Sequence, residues 1–478
     1  MDASTAPVGI KTGKQWFFGH PGGLFTLAFT EGWVGFSYYG MQSLLVLYMT
    51  SQLLLPQHLR HVIGFAGFHS FLDWLYGHRE GAALASSVMG LYSALIFATP
   101  LLGGIIADRL LGRTRTIILG AVLMTIGHFL MAFDASFLIA LACIITGMGC
   151  AGTLKAQVGD LYAIDDTRRA DAFQIYVMSV NVAVIIAPLI CGTLGEGIAW
   201  HWGFAAAGVG MLIGLIVYLV GRRSLPPEPV RKIDGRTVHP PLTKKDYKAL
   251  AVLAALLPVL AVAAIGNQEI FNGYLIWAKA NYELHFFGHI MPVSWLLSLD
   301  AFISVGTLLA AVVFWRWWSK HHRDPDEIIK MTIGAAIAAL APAILAAASA
   351  HAAGGHKVGL IWGVGFHVVN DIGFANVYAI GLALFSRAAP AALGATVVNA
   401  YVLHLFLANL LVGWLAGLLE VMPPTQFWLM HTALIAGAAV VLLIFARVFR
   451  NILAPTATPT EPIPLESPMP PHLEADTM

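Results

Sequence analysis

Twelve apolar runs, each close to or above the ~20 residues that a helix needs to cross a bilayer, constrain this chain more than any other feature. They fall near 24–54, 82–107, 116–133, 136–158, 172–194 and 202–221, then near 249–278, 291–316, 328–350, 358–386, 391–419 and 426–449. Of the 478 residues, 58% are hydrophobic and 11% charged, against roughly 25% charged in a soluble domain. Lipid is therefore the expected solvent. The longest charged stretch, 222–248, divides the runs into two equal sets. The expectation is an all-α membrane protein with twelve transmembrane helices in two six-helix bundles, 19–221 and 249–450. A cytoplasmic segment 1–18, the cytoplasmic linker 222–248 and a disordered cytoplasmic tail 451–478, rich in Pro, Thr and Glu, complete the division.

Orientation follows from lysine and arginine, which collect on the cytoplasmic side. With both termini cytoplasmic, only Arg60, Arg79, Lys279 and Lys357 fall outside, and Lys155 falls within a span. All the others lie inside. The segment from Pro56 to Arg79 reads as a long outer loop, and its VIGFAGFHSFLDWLYG as an interfacial helix.

The first apolar run, GHPGGLFTLAFTEGWVGFSYYGMQSLLVLYMTSQLLLP, carries one acid, Glu31, a tyrosine pair, Tyr38 and Tyr39, and many glycines. A helix built only as an anchor needs none of these. An acid inside a membrane is costly and marks a functional site by default, so this helix is expected to line a substrate path. Between the second and third runs stands Gly104-Ile-Ile-Ala-Asp108-Arg109-Leu-Leu-Gly112-Arg113-Thr-Arg115. Glycines allow two helix ends to approach, the acid caps or pairs with a neighbour, and the arginines hold the loop at the cytoplasmic face. Gly104, Asp108, Arg109, Gly112 and Arg113 resemble the major facilitator loop signature, which implies a gating loop here.

Other function classes lack support. A net charge of +1 gives no basis for binding nucleic acid. Cys143, Cys150 and Cys191 sit in apolar runs as small buried residues. There is no GxxxxGK[ST] phosphate loop and no GxSxG nucleophile motif. No cofactor, metal, catalytic residue or obligate protein partner is expected. A sensor would need an output domain, and none is evident.

The loop resembles the major facilitator signature GxxxDRxGR with one extra residue, the form found in the proton-dependent oligopeptide transporter (POT) family. GHPGGLFTLAFTE and FSYYGMQSLLVLYMT resemble that family's first helix. LGAVLMTIGHFLMA resembles the third, GTLKAQVGDLY the fourth, IYVMSVNVAVIIAPLICGTLGE the fifth and HWGFAAAGVGMLIGL the sixth. The resemblance runs from about Gly19 to Arg450 and is weaker in the tenth and eleventh helices. It implies a major facilitator fold in the cell membrane, importing di- and tripeptides with protons.

The resemblance also distributes roles. The family's ExxER motif reads Glu31, Val34 and Gly35 here, so one acid survives and the second acid and the arginine do not. The fourth-helix lysine is Lys155, whose natural partner is Glu31. Asn181 matches the fifth-helix asparagine. Substrate contacts are expected at Tyr38, Tyr39, Lys155, Asn181, Glu269, Asp300, Asn399 and Tyr401. The tenth-helix glutamate is replaced by Phe374, and one turn earlier His367 and Asp371 share a helical face. An imidazole beside a carboxylate can hold and release a proton near neutral pH, so Glu31, His367 and Asp371 are the expected proton carriers. The missing motif residues leave open a carrier of another small solute, such as an amino-acid derivative, nitrate or another anion, or one independent of protons.

Overall fold

The computed structural model describes residues 15–16, 19–163, 166–226, 242–390 and 393–453. The segment 1–18, most of the linker 222–248 and the tail 451–478 fall largely outside them. The described chain is helical apart from two short hairpins. Its helices are α1 (Gly22–Tyr48), α2 (Phe65–Tyr76), α3 (Gly81–Ile106), α4 (Arg113–Leu130), α5 (Phe137–Ala151), α6 (Leu154–Asp160), α7 (Arg168–Gly197) and α8 (Trp200–Gly221). After the linker come α9 (Lys244–Ala263), α10 (Ile265–Glu269), α11 (Gly273–Asn281), α12 (Trp295–His321), α13 (Glu327–Ala338), α14 (Leu340–His351), α15 (Ile361–Ala388), α16 (Gly394–Tyr401), α17 (Leu403–Leu415) and α18 (Pro424–Val448).

Among the described residues, ten helical stretches are long and apolar enough to cross a membrane. The expected first and third runs, α1 and α4, are not among them. The reason is compositional. α1 is wedged between α7 and α8 and is buried along most of its length, so it meets protein rather than lipid and carries Thr, Ser, Gln, Tyr and Gly. α4 begins with Arg113-Thr-Arg115.

Several runs that read as continuous are broken. The seventh divides into α9, α10 and α11, the ninth into α13 and α14, and the eleventh into α16 and α17. Pro258 lies inside α9, and Asn272 between α10 and α11 leaves helical geometry with φ −131° and ψ −108°. The freed backbone groups are tolerable because protein surrounds them. α9 begins at Lys244, earlier than the sequence suggests, because Thr243 and Asp246 form a reciprocal capping box.

The helices before residue 226 pack chiefly on one another, as do those after 242. Two seams join the sets: α3 against α17, and α7 against α12. At the first seam a Cβ on Gly90 would lie 2.3 Å from the Gly413 Cα, so the two backbones are in direct contact, as small residues permit in membrane helix pairs.

Hydrogen bonds between the sets gather at one end of the molecule. Both oxygens of Glu196, at the end of α7, accept from the backbone N–H groups of Val293 and Ser294 at 2.9 Å, just before α12 begins. Ala82 N–H at the start of α3 donates to Glu420 at 2.6 Å. Asn272 donates to the Ser86 carbonyl at 3.0 Å, Lys279 to Ser51 at 2.6 Å, and Trp295 to Thr193 at 3.1 Å. Among the described residues, no hydrogen bond or ion pair joins the sets at the other end, where the gating loop lies. The described hydrogen bonds therefore latch the two sets together at one end.

Candidate substrate path

The polar groups of α1 meet the neighbouring helices at the middle of the molecule. Glu31, half-buried, faces the Tyr176 hydroxyl of α7 and lies in the field of the Lys155 ammonium of α6. Lys155 itself is exposed. The partner expected for Lys155 is thus the group it faces, and Tyr176 is a second partner of Glu31 that the sequence does not announce. Val34 is buried and Gly35 sits where a Cβ would be 3.3 Å from the Ala183 Cβ of α7. Position 35 is therefore a helix-packing position in this protein. A side chain as long as arginine would have to part α1 from α7.

Tyr38 and Tyr39 are neighbours with ring centroids 4.8 Å apart, but they point to different surroundings. Tyr38 is buried beside Gln42 and Tyr92. Tyr39 is half-buried, and the groups that act on its hydroxyl are Tyr378 and Asp300 from the second half and Glu31 from its own. Near this level Phe97 of α3 and Phe374 and Tyr378 of α15 pack round one small apolar cluster. Phe374 replaces an acid by an aromatic wall.

In the second half the sequence predicts His367 with Asp371. The structure pairs His367 differently. Its Nδ1 is 2.8 Å from Asp300 Oδ1 on α12, and its Nε2 is 3.0 Å from the Tyr274 hydroxyl on α11. Tyr274 in turn lies 3.4 Å from the Tyr282 hydroxyl. His367 is fully buried and Asp300 nearly so. Asp371 is also buried, close enough to Asp300 to feel its charge. Its Oδ1 accepts from Asn370 at 3.3 Å, and its Oδ2 has no hydrogen-bond partner. The helical spacing of four is real, but Asp300 on another helix takes the imidazole nitrogen instead.

The Asp300–His367–Tyr274 chain can exist in two charge states without moving a heavy atom. With Asp300 ionised, Nδ1–H donates to it, and Nε2 either accepts from Tyr274 or, when protonated, donates to it. Tyr274 can turn its hydroxyl to Tyr282. The arrangement is a continuous hydrogen-bonded chain from Asp300 through His367 and Tyr274 to Tyr282.

Three expected contacts lie elsewhere. Glu269 is wholly buried, with Oε2 accepting from Gly273 N–H at 3.0 Å and Oε1 3.1 Å from His431 Nε2. His431 Nδ1 donates to the Phe427 carbonyl at 2.9 Å, so a single proton is shared between Nε2 and Glu269. Both carboxylate oxygens are thereby used inside the second half, and the group pins α10 and α11 to α18. Tyr401 is wholly buried and donates to the Tyr378 carbonyl at 2.8 Å, so it anchors α16 to α15. Neither has surface to offer in this conformation. Asn399 is exposed on α16, and Asn181 is half-buried on α7.

In the loop after α3, Arg113 bonds Asp160 and stands 4.0 Å from Asp108. Gly112 has φ +80°, a conformation that suits glycine. Arg109 is exposed. The close helix approach belongs to Gly103, whose Cβ would be 1.9 Å from the Gly149 carbonyl oxygen; Gly104 has open space around it. A separate apolar cleft of about 510 Å³ between α1 and α7 includes Phe25, Phe29, Ile186 and Ile190. These side chains are exposed, so the cleft is lateral and distinct from the polar path.

Two helix sets latched at one end, with buried acids and an exposed lysine between them, define a multi-pass membrane transporter. Residues 114–233 match the model of the POT family. A di-/tripeptide transporter of Lactococcus lactis subsp. cremoris is 34% identical over 329 residues, covering 64% of this chain and 60% of that protein. The peptide transporter YePEPT of Yersinia enterocolitica is 27% identical, covering 94% of this chain and 98% of that one. The crystal structure of a POT peptide transporter in complex with alafosfalin superposes with a TM-score of 0.77 at 25% identity, over 92% of this chain and 98% of the other. The chain is thus similar, over most of its length, to peptide transporters of the POT family.

Proposed function

We propose that this protein carries di- and tripeptides into the cell by alternating access, in symport with protons. The observation that carries the reading is the position of Tyr39, whose hydroxyl is acted on at once by Glu31 of the first half and Asp300 of the second. A substrate lying there would touch both halves, which is what couples occupancy to their relative motion. The peptide-transporting relatives support the choice of cargo.

In this reading α1 and α4 complete the ten apolar stretches to twelve transmembrane helices, in bundles 19–221 and 249–450 with both termini cytoplasmic. The latched end faces outward, and the conformation is open to the cytoplasm. The protein resides in the plasma membrane. Lys155 receives the peptide carboxylate, and Tyr39 and Asn181 contact the peptide along its length. Asp300 is the acid nearest the path for the peptide amine. Protons move through Asp300, His367 and Asp371, where a proton on Asp371 Oδ2 would remove the charge from a buried oxygen that nothing else satisfies. Glu31 couples to them by releasing or engaging Lys155.

A second reading keeps the architecture and changes the cargo. Gly35 in place of an arginine and Phe374 in place of an acid remove one charged group from each half, which favours a smaller or singly charged solute. Uptake into proteoliposomes under an imposed pH gradient separates the two. Accumulation of a labelled dipeptide, competed by unlabelled dipeptides, supports the first. Failure of every dipeptide to accumulate or compete, with accumulation of an amino-acid derivative or anion, establishes the second.

A further inference from the structure

His69, Asp73 and His78 lie outside the membrane spans, on α2 and the turn after it. One ligating atom from each falls within 4.8 Å of the others. His69 and Asp73 are four apart and share a face of α2. At Gly77 the backbone takes φ +79° and brings His78 back over Asp73. Among these residues His69 Nε2 stands 3.6 Å from Asp73 Oδ1, and His78 Nδ1 stands 3.5 Å from Asp73 Oδ2.

These separations are long for hydrogen bonds. They suit ligands around an ion. Zinc–nitrogen and zinc–oxygen bonds of about 2.0–2.2 Å in a tetrahedron place neighbouring ligand atoms about 3.4 Å apart. A second observation points the same way: Asp73 Oδ1 is closed to solvent yet accepts no hydrogen bond. A third concerns the outer shell. His78 Nε2 is 3.4 Å from Glu80 Oε1, so with Nδ1 on a metal the opposite nitrogen has a carboxylate to hold it, a frequent arrangement for metal-bound histidine.

We propose that His69, Asp73 and His78 form a site for a divalent transition metal, with zinc the ion that this two-histidine, one-carboxylate set fits best. His69 Nε2 now bonds the Arg79 carbonyl at 2.9 Å. Metal binding replaces the proton on that nitrogen, and Nδ1 carries it instead. The Arg79 carbonyl is left beside the ion, where it can bond a metal-bound water.

The site also lies against the latch. Arg79 Nη1 would be 2.7 Å from a Cβ placed on Gly417, and Glu420 accepts from Ala82 N–H. An ion that fixes residues 77–80 thus fixes the turn on which the first half meets the second, and bound zinc stabilises the latched conformation.

The test uses tag-free protein in detergent, stripped with a chelator and titrated with zinc against a competing chromophoric chelator. One tight equivalent is expected. His78→Ala, an exposed position, and Asp73→Asn should each weaken it about tenfold or more, as loss of a ligand or its support does, with the gel-filtration profile unchanged. Zinc should raise the thermal midpoint of the wild type and not that of either variant. The proposal is overturned if the wild type binds no tight equivalent. It is equally overturned if the triple variant His69→Ala/Asp73→Asn/His78→Ala binds zinc as the wild type does.

Discussion

His367 on α15 and Asp300 on α12 stand 2.8 Å apart, Nδ1 to Oδ1, in the interior of the second half. The pair ties two helices that no loop joins directly, and its Asp300 is, with Tyr378, one of the groups of that half acting on Tyr39. Asp300→Asn keeps the shape and removes the acid. Gradient-driven uptake should fall by about tenfold, equivalent to roughly 1.4 kcal/mol of barrier, while substrate exchange at equal pH changes much less. Equal loss of both activities would mean that Asp300 binds substrate or holds structure and does not couple protons.

Closure at the latched end depends on Gly90. Because its Cβ would fall 2.3 Å from backbone atoms of α17, Gly90→Val should destabilise the latched state by about 1–3 kcal/mol, the usual cost of overpacking. Spin labels at the outer ends of α3 and α17 should report a longer distance in the variant. An unchanged distance distribution would show that the seam yields more easily than backbone contact allows.

Glu196 makes the other seam. It places a carboxylate at the N-terminus of α12, where free backbone N–H groups and the helix dipole favour an anion. Glu196→Ala leaves the N–H groups of buried Val293 and Ser294 without acceptors, at about 1–3 kcal/mol for each group. Hydrogen exchange at residues 293 and 294 should accelerate accordingly. Glu196→Gln, which can still accept one bond, should lie between.

The Glu269–His431 pair is entirely enclosed. Removing one partner from such a pair costs about 3–5 kcal/mol, whereas replacing both by apolar residues can be neutral. His431→Ala should therefore lower the thermal midpoint sharply, and Glu269→Met with His431→Leu should recover most of the loss. Abolished uptake in a double variant of normal stability would instead give the pair a part in transport.

In the loop before α7, Arg168 bonds both Asp166 oxygens and the Gly19 carbonyl. The guanidinium holds the Asp166 carboxyl down at about 2, against an ordinary value of 3.8. A depressed acid stabilises the fold above its unfolded value and loses that contribution as pH falls through the folded one. The difference in thermal midpoint between wild type and Asp166→Asn should therefore be constant at neutral pH, shrink below about 3.8 and vanish near 2. A difference that disappears already near pH 6 would show that the Asp166 carboxyl is not the group responsible.

The apolar runs and the Lys/Arg distribution announce a helical membrane protein in two halves, because a bilayer imposes one length and one polarity on every span. The same rule conceals α1, whose burial between α7 and α8 frees it from lipid and lets it carry polar groups. Glu31 lies in the field of Lys155, the partner that the resemblance suggested for that lysine. A spacing of four on one helix does not pair His367 with Asp371, because Asp300 from another helix takes the imidazole. Which acid reaches an imidazole, and which polar group turns inward to a helix break, depends on neighbours distant in sequence. The glutamate latch at Val293 and Ser294 was likewise invisible, because its acceptors are satisfied by backbone, and backbone N–H groups carry no letter in a sequence. Sequence alone determined the solvent and the element type of this chain. Tertiary structure alone decided which buried charges face each other, because that is fixed by helix crossings with backbone contacts as close as those of Gly90 and Gly413.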